Sequence, residues 1–177
     1  RKRGLTPTVA ANSRQRLEDG RTIIGINANG VIDRSVDVIR VDTLTGETMA
    51  TIISTAAHPI VLGPATCECK CTPLPFAFFR KPHTSGCTDS SDYVGPAREI
   101  VEARTGVPCL FLQGAAGNIM PFCGVGAGGP EQFDDLERVG AMLGGAALSL
   151  WASIRTHNTL GNQKIVQSVA VISTYEY

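Results

Sequence analysis

The chain has 177 residues, of which 43% are hydrophobic, so it can bury one substantial core and is about the size of one domain. Its 16 basic and 16 acidic side chains balance, which argues against nucleic acid or an anionic membrane as a partner. No apolar run approaches the roughly 20 residues of a membrane-spanning helix. Because the chain begins at Arg1 rather than Met, we expect a fragment or a processed product.

The first regular elements predict a β-hairpin. Residues 36–42 alternate apolar and polar side chains, as a half-buried strand does, and Thr45-Gly46 supplies a turn into the apolar run 49–57. That second run ends at His58-Pro59. Polar residues at strand ends lie at loop mouths, where binding and catalytic sites are usually built.

A helix and a buried strand are predicted next. Residues 94–104 contain helix-forming residues with apolar positions on one face, and Gly106 lies just past their end. Residues 108–112 have the length and composition of a buried strand. The loop that follows contains Gly114 and Gly117, which permit a sharp turn or a close approach of the backbone to another group.

A second helix is predicted from Phe133 or Asp134 to His157, with acidic residues at its start and Arg155 and His157 at its end, as the helix dipole favours. One buried stripe is expected along it: Leu136, Val139, Gly140, Leu143, Ala147, Leu150, Trp151 and Ile154. Residues 164–173 alternate like a strand. This order of elements predicts an α/β fold, with a mixed, partly parallel sheet packed by helices in one incomplete domain.

Four stretches occur in a fixed order: residues 12–21 with 33–42 behind them, the turn Ala56-Ala57-His58-Pro59, residues 90–95, and residues 113–121. Their order and spacing resemble the amino-terminal catalytic domain of the neutral/alkaline non-lysosomal ceramidase family over most of residues 10–150. Members of that family are zinc amidases that cleave ceramide into sphingosine and a fatty acid. The resemblance implies a zinc cofactor, a ceramide-like or other amide substrate, and a secreted or membrane-associated parent protein.

His58 is the candidate metal ligand. Neutral imidazole binds zinc well, and a ligand at a strand end is held by the sheet while it stays open to a pocket. The family's matching His binds the catalytic zinc, so the resemblance assigns this role to His58. The alternative is that His58 caps a turn or donates to a backbone carbonyl.

The remaining zinc ligands are not recognisable in the sequence. A catalytic zinc takes several protein ligands and a water molecule. The family supplies another His from an earlier segment and a Glu and a Tyr from later ones. His83 and His157 lie outside the matching motifs, and residues 175–177 do not resemble the distal ligand region. We therefore expect this chain to hold one part of a zinc site.

The segment from Gly114 to Pro121, here called the glycine loop, would form the opposite wall of the site. Where characterised ceramidases carry Gly-Asp and then Ser before Pro, this chain has Gly117-Asn118 and Met120. Asn118 can orient a substrate through its amide, whereas Met120 can neither donate a hydrogen bond nor act as acid or base. We assign Asn118 to catalysis, and Gly114, Gly117 and Met120 to substrate binding. The alternative is a structural strand-to-loop turn.

Asp92, which precedes the first predicted helix, is the second candidate catalytic residue. Its carboxylate can orient a metal ligand from outside the metal's immediate shell, a recurring feature of zinc sites. It can equally cap the following helix, and one residue can serve both purposes.

Residues 65–89 depart most from the family and form an irregular insertion. Three alternating cysteines, Cys67, Cys69 and Cys71, are followed by His83 and Cys87, which suggests a structural zinc site, but no Cys-x-x-Cys pair is present. Disulfides are a second interpretation, and six cysteines leave their pairing open. The interpretation that we favour is a lineage-specific loop or translated non-coding sequence, because the flanking motifs would join naturally without the segment.

The sequence thus predicts a zinc-dependent amide hydrolase that resembles neutral ceramidase, with part of the site in residues 1–177. Amide hydrolysis remains compatible with the altered loop, because zinc both polarises the carbonyl and generates the nucleophile. The competing hypothesis is a non-catalytic remnant or binding module that keeps the fold without a complete metal site. The sequence does not determine the oligomeric state.

Overall fold

The computed structural model describes residues 1–62, 90–123 and 131–156, with side chains described from Phe133 onward in the last of these ranges. The predicted insertion at 65–89, including His83, lies outside the described residues, as do His157 and the predicted strand at 164–173. In the described part of the chain, no helix is long and apolar enough to cross a membrane.

Seven strands and two helices make up the described part. They are β1 (Lys2–Leu5), β2 (Ala10–Arg16), β3 (Thr22–Asn27), β4 (Ser35–Asp42), β5 (Thr48–Thr55), α1 (Val94–Thr105), β6 (Cys109–Gln113), β7 (Ile119–Pro121) and α2 (Glu131–Ala152). The α/β class predicted from the sequence is confirmed.

The larger sheet has the strand order β1-β4-β5-β6. Strands β4 and β5 form the predicted antiparallel hairpin. Strand β6 runs parallel to β5, in a register from Thr51 beside Cys109 to Thr55 beside Gln113, and α1 is the crossover between them. Because parallel strands end at the same edge of a sheet, the segment after Thr55 and the segment after Gln113 leave the sheet side by side. The topology therefore brings His58 next to the glycine loop.

A second sheet, with the order β3-β2-β7, was not predicted. Strand β7 has only three residues, and β2 has four buried residues in succession rather than an alternation, so neither has the periodicity that identifies a strand. Ala10 pairs with Pro121, and Asn12 pairs with Ile119. The end of the glycine loop is thereby built into a sheet.

The two helices cover one face of the larger sheet, where Val36, Val38 and Ile53 are fully buried. The helices cross closely at Gly140, where an added Cβ would lie 2.6 Å from the Pro96 side chain. The stripe predicted on α2 is confirmed at its buried positions: Leu136, Val139, Leu143 and Ala147.

The end of α1 agrees with the prediction from the sequence, whereas the end of α2 differs from it. Helix α1 ends as predicted at Gly106, whose φ of 72° lets its N–H reach the Glu102 carbonyl at 2.8 Å. Helix α2 ends at Ala152, before the predicted His157. There the Ser153 hydroxyl donates to the Leu150 carbonyl at 2.6 Å, and Ile154 turns inward and is buried. Residue 155 thus lies beyond the helix and not in its last turn.

Candidate functional site

The candidate site is centred on the turn after β5, residues 57–62, here called the His58 turn. The backbone N–H of His58 donates to the Ile119 carbonyl at 3.0 Å, which ties the turn to β7. The His58 side chain is exposed. It opens onto a cavity of about 520 Å³ that is also lined by Pro59, Ser90, Ser91, Asp92, Val94, Phe111 and Gln113.

The volume of this cavity distinguishes it from a much smaller space that is lined by residues of both sheets and of α2. That space, beside Thr55 and Tyr93, holds only about 10 Å³, which is no more room than one water molecule needs. Ligand pockets typically measure roughly 300–1,000 Å³. The cavity at His58 is therefore the one of the two that suits a substrate.

Asp92 is buried and holds the backbone on two sides. One carboxylate oxygen accepts the Leu62 N–H at 2.8 Å, and the other accepts the Tyr93 N–H at 2.8 Å. Its φ of 54° is left-handed, a conformation that Asp and Asn adopt more readily than most residues. The expected cap is not formed, since Tyr93 is the N-cap residue of α1 and no side-chain cap bond is made. The left-handed backbone instead directs the carboxylate toward the His58 turn.

Tyr93 contacts the other end of the same turn. Its hydroxyl donates to the Ala57 carbonyl at 2.6 Å, and the residue is 1% exposed. Burial, with a smaller contribution from the charge of Asp92, raises the pKa of Tyr93 above its usual value. The hydroxyl therefore remains a protonated donor well into the alkaline range.

Gln113 is a site residue to which the sequence assigned no role. Its side-chain N–H₂ group lies 3.3 Å from the Thr55 carbonyl and 3.2 Å from the carbonyls of Ala57 and Gly114. The side chain also lines the cavity. A signal was present in the sequence, because a polar residue ended a strand predicted to lie in a partly parallel sheet.

Gly114 occupies a close approach between two backbones. Its N–H donates to the Thr55 carbonyl at 2.8 Å, and an added Cβ would lie 3.0 Å from that carbonyl oxygen and 3.1 Å from the Ala56 Cα. Gly117 is different, since an added Cβ there would meet nothing within 4 Å. The close backbone contact expected of the glycine loop thus occurs at Gly114.

The rest of the glycine loop is attached to β2. The Gly117 carbonyl accepts from the Arg14 guanidinium at 2.8 Å, and the Asn118 carbonyl accepts the Ser13 N–H at 2.7 Å. The Asn118 side-chain amide donates to the Val31 carbonyl at 3.4 Å. The Arg14 and Ser13 contacts show that the first and last of the four stretches meet in the fold.

The structure brings two of the six assigned residues to the cavity, His58 and Asp92. The other four, Gly114, Gly117, Asn118 and Met120, are not among the residues that line it. Met120 is 3% exposed and lies on β7 opposite Ala11. The assigned roles in catalysis and substrate binding stay predictions. The sequence did not single out Ser90, Ser91 or Phe111 as cavity residues.

The described residues do not by themselves make a zinc site. Within residues 1–62, 90–123 and 131–156, no group of three or more His, Cys, Asp and Glu side chains could hold a metal ion. The nearest carboxylate in the cavity, that of Asp92, already accepts two backbone N–H groups. Burial raises the pKa of the Cys109 thiol to about 11, so this thiol is protonated and a poor ligand. Among the described residues that line the cavity, His58 is the one imidazole.

Comparison with known proteins identifies a related fold. The fold is similar to that of neutral ceramidase. The structure of the enzyme from Pseudomonas aeruginosa matches with a TM-score of 0.55 at 17% identity, over 85% of this chain and 22% of that one. A ceramidase complexed with C2 matches with a TM-score of 0.56 at 17% identity, over 85% of this chain and 21% of that one. No family model and no curated protein matches the sequence.

At this level of identity the likeness concerns the fold alone. The chain spans about a fifth of the length of the two ceramidase structures, 22% and 21% respectively. Relative to them, the α/β unit is incomplete. The likeness agrees with the family that the order of the four stretches indicated.

Proposed function

We propose that residues 1–177 are part of the catalytic domain of an amide hydrolase of the ceramidase type. The observation that carries this proposal is that three sequence stretches, His58-Pro59, Ser90-Ser91-Asp92 and the end of β6, line one cavity in a ceramidase-like fold. The substrate would be a lipid amide, ceramide or a related compound.

The lining of the cavity supports an amphipathic substrate. Pro59, Val94 and Phe111 contribute apolar surface. The imidazole of His58 and the amide of Gln113 contribute polar groups to the same cavity. A lipid amide has the same two parts, an acyl chain that contacts apolar walls and a carbonyl with an N–H that forms hydrogen bonds. The chain's own residues would therefore bind and orient the amide beside His58.

His58 would donate one nitrogen to a zinc ion in the complete parent protein. This role requires further donors from outside the described residues, since no three His, Cys, Asp and Glu side chains among these could hold a metal ion. The exposed position of the imidazole is compatible with a ligand shared with other parts of the protein. Asn118, Gly117 and Met120 would act from the neighbouring loop, as the sequence predicts.

The test is amide cleavage by the full-length parent protein, with a short-acyl ceramide as substrate. We expect His58→Ala to lower kcat/KM by more than about 100-fold, which exceeds the usual effect of losing an outer-shell partner of a metal. The matched control is His83→Ala, the same substitution at a histidine outside the four stretches, which should retain activity. Removal of zinc with a chelator should abolish cleavage, and added zinc should restore it. Cleavage that persists in His58→Ala would reject the proposal.

The second candidate is a binding module that keeps the fold without catalysis. It is favoured by one observation, that no three His, Cys, Asp and Glu side chains among the described residues could together hold a metal ion. The two candidates differ in the zinc content of the purified parent protein. One tightly bound zinc that is lost in His58→Ala supports the hydrolase. A zinc-free parent protein that binds the short-acyl ceramide without cleaving it supports the binding module.

A further inference from the structure

We propose that Tyr93 and Gln113 are positioning residues that fix the direction of the His58 side chain by holding the peptide unit immediately before it. This inference rests on the proposed role of His58. Neither residue was assigned a function from the sequence, and each belongs to a different one of the four stretches.

The argument begins with the planarity of the peptide bond. The Ala57 carbonyl and the His58 N–H belong to the same planar unit. The carbonyl accepts from the Tyr93 hydroxyl at 2.6 Å and from the Gln113 amide at 3.2 Å. The N–H donates to the Ile119 carbonyl at 3.0 Å. Both polar atoms of the unit are therefore held, from opposite edges, by the N-cap residue of α1, by β6 and by β7.

Holding this plane restricts the side chain that follows it. With the plane fixed, the only backbone rotations left to His58 are those about its own Cα, and the next residue, Pro59, limits these further. The Asp92 carboxylate holds the turn again at the Leu62 N–H, 2.8 Å away. The imidazole thus projects into the cavity from a backbone segment whose polar groups are held by hydrogen bonds. Such support outside the reacting groups is what keeps a ligand or catalytic group in one orientation.

The two donors differ in ways that can be tested separately. Tyr93 is 1% exposed and makes the shorter bond, and its raised pKa keeps the hydroxyl protonated. Gln113 is exposed and divides its N–H₂ group among three carbonyls, so each of its bonds is weaker. Tyr93→Phe should therefore have the larger effect and Gln113→Met the smaller one.

The experiment is hydrogen exchange of the His58 backbone amide, resolved by mass spectrometry with residue-level fragmentation, in the full-length parent protein. We expect exchange to accelerate about ten-fold in Tyr93→Phe, which corresponds to about 1.4 kcal/mol, and less in Gln113→Met. The matched control is Thr6→Val. It removes another buried hydroxyl-to-carbonyl bond, from Thr6 to Arg34 at 3.1 Å, and should leave the His58 amide unchanged.

A second readout separates positioning from simple stabilisation. In the same three variants, turnover of the short-acyl ceramide should show a lower kcat with little change in KM for Tyr93→Phe and Gln113→Met, and neither change for Thr6→Val. Wild-type exchange at the His58 amide in both Tyr93→Phe and Gln113→Met would overturn the inference. So would equal acceleration in Thr6→Val.

The exchange measurement does not depend on activity. If His58→Ala retained full cleavage, the proposed function would fail, while accelerated exchange would still establish the hold on the His58 peptide. If Tyr93→Phe failed to fold, Gln113→Met would still decide the question, because the Gln113 side chain is exposed and its replacement leaves the core intact.

Discussion

The two loops that meet at the candidate site are held in place in different ways. The His58 turn is held by side chains, since Tyr93 bonds to its first carbonyl and Asp92 to its last N–H. The glycine loop is held mainly by backbone contacts, at Gly114 against Thr55 and at Asn118 against Ser13, with one side-chain contact from the Arg14 guanidinium to the Gly117 carbonyl. Between Gly114 and Asn118, an added Cβ at Gly117 would meet nothing within 4 Å.

This difference suggests that the two loops have different roles. A group that must keep one orientation, such as a metal ligand, needs support from buried side chains. A loop that adapts to a substrate needs fixed ends and open space between them. Substitutions at the first loop should therefore affect the whole fold, whereas those at the middle of the second should affect it little.

The largest effect is expected from removing the Asp92 carboxylate. Asp92→Ala leaves the Leu62 and Tyr93 N–H groups without their acceptor, which should lower the free energy of unfolding by about 3 kcal/mol. Asp92→Asn suits the left-handed backbone but keeps only one of the two acceptor oxygens, so its cost should be smaller, about 2 kcal/mol.

Urea denaturation of the wild type, Asp92→Asn and Asp92→Ala measures whether stability falls in that order. Asp92→Gly is the control for backbone conformation. Glycine relieves any strain at the φ of 54° but supplies no acceptor, so its stability should lie nearer to that of alanine than to that of asparagine. If Asp92→Gly were as stable as the wild type, backbone conformation rather than the carboxylate would hold the His58 turn.

A smaller effect should separate the two glycines. At Gly114 the new methyl group of alanine would press on the Thr55 carbonyl and the Ala56 backbone, and we expect a loss of about 2 kcal/mol, as for overpacking elsewhere. Gly117→Ala has open space and should stay within about 0.5 kcal/mol of the wild type. Thermal unfolding of both variants is the measurement. Equal losses would contradict the contrast drawn between the ends and the middle of the loop.

The smallest effect concerns alkaline pH and the donor that holds the His58 turn. The pKa of Tyr93 in the folded protein is raised above that of an unfolded tyrosine, about 10. Its contribution to stability is therefore complete below about pH 10 and declines by about 1.4 kcal/mol per unit as the pH rises further toward the folded pKa.

Urea denaturation at pH 8 to 11 measures this decline, and Tyr93→Phe is the control, because phenylalanine cannot ionise. Subtracting the two profiles removes the contribution of lysines and other tyrosines. Identical slopes in the wild type and the variant would show that the Tyr93 hydroxyl is not shielded from water in the way the structure indicates.

Local sequence patterns were sufficient to predict the hairpin of β4 and β5, helix α1 with its glycine end, and the buried stripe of α2. The alternation at 36–42, the apolar run at 49–57 and the helical spacing of apolar residues in α1 and α2 carry this information. A partly parallel sheet was also predicted, because a strand, helix and strand in succession favour that arrangement, and β5 with β6 is the parallel pair that the structure contains. The polar residue at the end of β5 could thus be placed at a loop mouth.

Tertiary contacts decided the rest. Strand β7 is too short to have a period, and it exists because β2 supplies its hydrogen-bond partner. Helix α2 stops early because Ser153 bonds to Leu150 and Ile154 finds a buried position in the core. The bonds from Asp92 to Leu62 and from Tyr93 to Ala57 join segments that are distant in sequence. Met120 is likewise buried by the fold and not by a local pattern. The residue type determines which hydrogen bonds a side chain can make. Its partner depends on which segments the folded chain brings within hydrogen-bond distance.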